Sequence, residues 1–357
     1  MLSMPLSRSS SVEGLRSDHR SPPSWRFAAN SGGTSSSPGE DGKPALHEPV
    51  MAKEVLTAFA PCGGGVIVDA TVGAGGHAAI ILREKQGVTL LGLDRDREAL
   101  LAAARVLKPF GRRALLVKDS FDHLGAVVRA HEPSKKVVGV LFDLGVSSMQ
   151  IDHPERGFSY MRSGPLDMRM DRSNPLTAEQ IVNSWPVEEL ERLFRLNGEV
   201  SLSRRISAAV VAARPLESTG ELADVVARAV PARSRRRPGH PAKRVFQAIR
   251  RAVNEEDRML SDGLEQAIEL LESGGRCVVL SYHSNEDRAV KAAFAHAETG
   301  GCMCPAGLPC VCGAVGVVRV ITKGALKPKP DEVAGNSRAA SARLRIAERL
   351  DQARRSS

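Results

Sequence analysis

Val66-Ile-Val-Asp69-Ala-Thr-Val-Gly73-Ala-Gly75-Gly76-His77 decides the fold. A short apolar strand ends in an acid, three glycines turn the chain, and a helix starts near His77. Glycine lets the backbone adopt positive φ and come close to a ligand. The first N–H groups of the helix are left without intrahelical partners and face outward. A dinucleotide fold would hold pyrophosphate there, but its fingerprint is G-x-G-x-x-G, and the spacing here is G-x-G-G. A carboxylate at the strand end repels pyrophosphate and suits a cationic or zwitterionic ligand.

Further strands and helices alternate downstream of this turn. Strands are expected over residues 88–93, 114–117 and 137–144, and helices over 97–107 and 124–130. A short helix over 49–60 precedes the first strand. Such alternation predicts an α/β, doubly wound parallel sheet. It stops at about residue 150, where a Gly-, Pro- and Met-rich irregular stretch runs to 174. Residues 177–230 then read as helical. Val245, Ile249, Val253, Leu260, Leu264, Ile268 and Leu271 share one face of a single long helix, which Gly274 and Gly275 end before a fifth strand over 276–282. The expected layout is one α/β domain, residues 45–150 and 242–349, interrupted by a helical unit at 151–241. A tail covers 350–357.

Two more acids close strands. Asp94 lies nineteen residues after Gly75, the position from which an acid binds ribose hydroxyls in nucleoside-binding α/β folds. Asp143 ends the fourth strand. In open α/β sheets ligands bind outside the carboxyl ends of the strands, so Asp69, Asp94 and Asp143 are expected to share one crevice.

Lys and Arg number 50 against 41 Asp and Glu, a formal net charge of +9 that suits a polyanionic partner. Arg233, Arg235, Arg236, Arg237, Lys243 and Arg244, with His240 among them, form a basic loop expected to contact phosphates. The apolar runs are too short to cross a bilayer, so no membrane partner is expected. Residues 1–44 are rich in Ser, Gly, Pro and Arg and poor in acid. They read as a disordered leader with the look of a chloroplast or mitochondrial transit peptide, the alternative being a bacterial cytoplasmic protein. Four of the six cysteines cluster at Cys302, Cys304, Cys310 and Cys312, which argues for a reducing compartment. These paired thiols are of a type that binds zinc, but the C-x-C pairs are tighter than the usual C-x2-C; the other reading is a reduced, Pro- and Gly-rich loop, and no metal is assigned.

Longer strings carry a resemblance: His47-Glu-Pro-Val-Met, Gly73-Ala-Gly-Gly-His77, Leu93-Asp-Arg-Asp96, Phe142-Asp-Leu-Gly-Val-Ser-Ser148, Glu155-Arg-Gly-Phe-Ser159, Gly164-Pro-Leu-Asp-Met-Arg-Met-Asp171, Phe246-Gln-Ala-Ile-Arg250 and Ser281-Tyr-His-Ser284. From about Leu46 to Arg349 the chain resembles the ribosomal RNA small subunit methyltransferase H (MraW) family. The resemblance implies a Rossmann-like class I methyltransferase sheet. It implies S-adenosyl-L-methionine as cofactor, and N4 methylation of a cytidine in the decoding region of small-subunit ribosomal RNA. Carried over by motif, the cofactor contacts are Gly75, Gly76, His77, Asp94, Phe121, Asp143 and Gln150. Asp143 and His283 are the candidate catalytic residues, and Tyr282 a candidate for the base pocket. The implied partner is ribosomal RNA or the small subunit, and a homodimer is a candidate assembly. The chain departs from the family pattern at Asn285, where Leu is usual, and at Ser337 and Ala340, where Pro and Arg are usual. Two other classes compete: a nicotinamide-dependent oxidoreductase, which the glycine spacing and Asp69 oppose, and a non-catalytic RNA-binding factor that retains the pocket.

Overall fold

The computed structural model describes residues 49–198, 201–232, 240–305 and 311–351. The expected leader therefore lies outside the described residues. Seven strands form one sheet: β1 (Gly65–Asp69), β2 (Val88–Asp94), β3 (Ala114–Lys118), β4 (Val137–Asp143), β5 (Leu271–Ser281), β6 (Val318–Val320) and β7 (Arg343–Arg349). Their order is β3-β2-β1-β4-β5-β7-β6. The first five pair in parallel, and β7 runs antiparallel between β5 and β6.

Period-two burial builds two cores on this sheet. Ile67, Leu90, Leu141, Val278 and Leu280 face one way, toward α1 (Ala52–Phe59), α2 (Gly76–Glu84) and α3 (Arg97–Leu107). Val66, Val68, Leu91, Leu93, Val140, Phe142 and Val279 face the other way, toward α4 (Leu124–His131). Covering both faces is what a parallel sheet requires, and each large buried aliphatic contributes about 1.5–3 kcal/mol. The chain steps outward from β1 through α2, β2 and α3 to β3, then returns through α4 to β4 on the other side of β1. Strand order thus reverses between β1 and β4, the switch point outside whose carboxyl ends open α/β sheets bind their ligands.

Beyond β4 come α5 (Ser148–Asp152) and a bundle of α6 (Ala178–Ser184), α7 (Val187–Leu196), α8 (Ser203–Ala212) and α9 (Thr219–Ala229). A third core, including Ile181, Leu190, Phe194, Val210 and Val226, holds this bundle together. The expected long helix is two: α10 (Lys243–Val253), whose Val245, Phe246 and Ile249 belong to the bundle's core, and α11 (Glu256–Leu270), which packs on the sheet. The break falls at Asn254, which is buried, and Glu255, whose φ is 48°. Asn254 Nδ2 donates to the Met168 and Arg250 carbonyls at 2.8 Å, and its Oδ1 accepts from the Met170 N–H at 2.8 Å. The side chain thus ties the break to the Met168–Met170 stretch and satisfies backbone groups there. The last large helix, α12 (Ser284–Thr299), follows β5 and packs on the same sheet face as α4 and α11.

Candidate active site at the strand ends

Asp69, Asp94 and Asp143 end three adjacent strands, because β1 lies between β2 and β4. Register brings them together: Asp69 pairs with Gly92 on one side and Leu141 on the other, two residues short of the other two acids. Thr71 ties the tips. Its N–H donates to Asp69 Oδ1 at 3.2 Å, and its hydroxyl accepts the Asp143 N–H at 2.7 Å. Asp94 in turn holds the glycine turn, accepting from the Gly73 N–H at 3.0 Å and the Asp96 N–H at 2.8 Å. Gly75 sits at φ 85°, and a Cβ there would lie 3.2 Å from Ala103 Cα, so the turn needs glycine for conformation and for space.

Burial first, and then repulsion from neighbouring acids, set the protonation of this cluster. Burial, offset by the Thr71 N–H and reinforced by the charges of Asp143 and Asp94, pushes Asp69 up to about 8. Asp94 is pushed up to about 6, mostly by burial. Asp143 is also pushed up to about 6 by burial, and the hydrogen bond that Tyr282 Oη donates to its Oδ1 at 2.8 Å acts the other way. Burial pushes His77 down to about 4, so the ring is neutral near pH 7. His77 Nε2 lies 3.6 Å from Asp143 Oδ2, too far for a hydrogen bond, and has no hydrogen-bond partner although buried. A neutral ring at that distance is not an ion pair. It leaves a polar atom aimed at the crevice, where a ligand group can satisfy it.

The other residues expected at the site lie around this centre. Gly76 starts α2 against Pro49. Phe121 follows β3 and meets the Phe142 ring edge-to-face, centroids 5.7 Å apart. Gln150 is buried with both ends of its amide engaged: Nε2 donates to Asp96 Oδ2 at 2.9 Å and Oε1 accepts the Ser147 N–H at 3.0 Å. It therefore braces the start of α3 beside Asp94. His283 precedes α12, with Nδ1 3.4 Å from Gln247 Nε2. Burial first, then the charges of Arg250, Lys243 and Arg251, push it down to about 4, against the opposing charge of Glu256. So His283 is neutral and stands where α10 meets the sheet. Arg233, Arg235, Arg236 and Arg237 lie outside the described residues, whereas Lys243 and Arg244 are exposed at the start of α10.

Several supporting residues had no role in the sequence reading. Arg156 is buried and donates to Asp96 at 2.8 Å, to Glu98 at 3.1 Å and to the Arg169 and Met170 carbonyls. It locks the irregular stretch after α5 onto α3. The Gly164–Asp171 string folds the same stretch, with Met168 and Met170 in the bundle's core and Asp167 paired with Arg169 at 2.8 Å. Asn285 donates to the Leu196 carbonyl at 3.4 Å, and Ala340 is exposed. The signal that could have found Arg156 was the Glu155-Arg-Gly-Phe-Ser string, which marked the position without its partner. Of the clustered cysteines, Cys310 lies outside the described residues, while Cys302, Cys304 and Cys312 converge.

A ribosomal RNA small subunit methyltransferase H from Carboxydothermus hydrogenoformans is 48% identical over 308 residues, 85% of this chain and 98% of the relative. One of the same name from Heliobacterium modesticaldum is 46% identical over 309 residues, again 85% and 98%. One from Acidothermus cellulolyticus is 46% identical over 325 residues, 89% and 98%. Residues 44–350 match the profile of the MraW methylase family, and the chain belongs to that family.

Proposed function

We propose that this protein uses S-adenosyl-L-methionine to methylate N4 of a cytidine in the decoding region of small-subunit ribosomal RNA. The observation that carries the reading is one cluster: three acids at adjacent strand tips, beside a glycine turn and a buried His77 Nε2 without a hydrogen-bond partner. The donor set fits the cofactor. Raised carboxyl pKa values fall when a cation arrives, so binding a sulfonium and an α-ammonium relieves the repulsion. In this reading Asp94 accepts from the ribose hydroxyls, since a carboxylate with two N–H donors still has lone pairs to offer. Gly75, Gly76 and His77 meet the amino acid part, Phe121 lies against the adenine, and Gln150 contributes through Asp96. When bound, the cofactor supplies an electrophilic methyl carbon.

The cytosine amine is a weak nucleophile because its lone pair is delocalised into the ring. In this reading Asp143 accepts a hydrogen bond from N4, which localises that lone pair, and then takes the proton as the N–C bond forms. A group titrating near 6 is ionised at neutral pH and basic enough for this work. Tyr282 orients that carboxylate, and the neutral His283 lines the base pocket. Positioning supplies much of the rate, because the amine must sit in line with the methyl group.

We further assign the helical unit, 151–241, together with α10, which packs into its core, to RNA recognition. The exposed Lys243 and Arg244 at the start of α10 support this, because Lys and Arg side chains open to solvent can meet phosphates. Ribosomal RNA or the small subunit as substrate, a homodimer as candidate assembly, and a plastid, a mitochondrion or, as the alternative, the bacterial cytoplasm as location belong to the same proposal. The relatives quoted above are bacterial, which supports a bacterial-type ribosome as the target. Among the described residues no helix is long and apolar enough to cross a membrane.

Mass spectrometry of nucleosides from small subunits incubated with protein and methyl donor tests the reading. N4-methylated cytidine should form with the native chain and not with Asp143→Ala. No methylated nucleoside, or full activity in that variant, refutes the assignment.

A further inference from the structure

The loop between α12 and β6 has a closed neck, and among its described residues no apolar core of its own. α12 ends at Gly300, in the left-handed region at φ 63°. The Gly301 N–H returns to the His296 carbonyl at 3.0 Å, and the Val317 N–H to the Ala297 carbonyl at 2.8 Å. A Cβ on Gly316 would lie 2.0 Å from the Glu298 carbonyl oxygen, so the two ends of the loop are in contact. Above this neck the described residues expose their apolar side chains, Met303 at 93% and Val311 at 89%. Excursions of this size, without a core, are usually ordered by a cross-link or a metal.

The cysteines supply the means. The Sγ atoms of Cys302, Cys304 and Cys312 all lie within 4.8 Å of one another. Cys302 and Cys312 stand 3.6 Å apart. A disulfide would need about 2.05 Å, whereas tetrahedral zinc with Zn–S bonds of about 2.3 Å sets its sulfurs about 3.8 Å apart. We propose that these three thiolates bind a zinc ion that holds the loop closed at the β6 edge of the sheet. Tight C-x spacing does not prevent this, because the neck brings the two arms of the loop face to face. Each thiol gives its proton to solvent as the metal binds, and no electron is transferred. The site stands apart from the strand-tip crevice, so zinc here is structural. Four-coordinate zinc takes one further donor.

The test uses the full chain, produced without a metal-affinity tag or chelator, in zinc-supplemented medium. Elemental mass spectrometry should find one zinc per chain. Cys304→Ser and Cys312→Ser should each lower bound zinc at least about tenfold, while Cys62→Ala, a buried cysteine elsewhere, keeps it. Circular dichroism and methyl-donor binding of the two serine variants separate loss of the ion from loss of the fold. Cobalt(II) added to metal-stripped protein should give thiolate-to-cobalt charge-transfer absorption that Cys304→Ser lacks. Native protein with less than about a tenth of an equivalent of zinc and no cobalt band overturns the proposal. So does a Cys302–Cys312 disulfide in freshly isolated protein.

Discussion

Replacing Tyr282 by Phe removes one hydroxyl and the 2.8 Å hydrogen bond it donates to Asp143 Oδ1. That bond favours the ionised carboxylate, so its loss raises the Asp143 pKa above the value of about 6 that burial and Tyr282 together set. Hydrogen bonds to charged groups contribute about 1.5–3 kcal/mol, and one pKa unit is about 1.4 kcal/mol. The variant should therefore titrate about one to two units higher, near pH 7–8. At pH 7 the ionised fraction falls from about nine-tenths to between about a half and a tenth. The acid limb of the pH profile of kcat/KM, which reports the free enzyme, should move up by the same interval. Activity at pH 7 drops about two- to ninefold and returns at pH 9. Transfer of a labelled methyl group to small-subunit RNA between pH 5.5 and 9, conditions chosen to span about both limbs, measures it. A limb that does not move, or a loss equal at every pH, would show that Tyr282 does not act through the Asp143 charge.

Asp94→Ala should weaken binding of the methyl donor about 10- to 100-fold by calorimetry; an unchanged Kd would reduce Asp94 to an anchor for the glycine turn. Arg156→Met leaves the buried Asp96 without its cation and should cost about 3–5 kcal/mol in urea unfolding. A change below about 1 kcal/mol would mean that the contact is dispensable. Lys243→Ala with Arg244→Ala should flatten the salt dependence of RNA binding, the log–log slope falling by about 1.4–1.8 if both touch phosphate. An unchanged slope removes the start of α10 from the RNA interface.

Most of the α/β order was legible because strands and helices impose different apolar periods. From Val66 to Phe142 the strands are short continuous apolar runs, because the sheet is covered on both faces, and such runs separated by helical segments are visible in one dimension. The two strands beyond β5 were not legible. β6 is three residues long, and β7 carries Arg343, Arg345, Glu348 and Arg349 among its apolar residues. Pairing with β5 makes β7 a strand, and Asp287 neutralises Arg345 at 2.7 Å. The break between α10 and α11 was hidden for a related reason. Val253 and Leu260 keep helical phase across it, while Asn254 takes partners from a stretch some 80 residues away in the chain, at Met168 and Met170.

What the chain determines by itself is local: the glycine turn, an acid at each strand tip, the apolar periods, and strings specific enough to imply a family. These depend on spacing along the backbone, which a sequence displays. What only the tertiary structure decides is how those groups behave once assembled. Tyr282 reaches Asp143 across 139 positions, and Arg156 reaches Asp96 across 60. Three carboxylates acquire raised pKa values because β1 is buried between β2 and β4. Cys302 and Cys304 meet Cys312 because the loop's neck closes. Protonation and metal affinity depend on distance and dielectric in three dimensions, and the order of residues records neither.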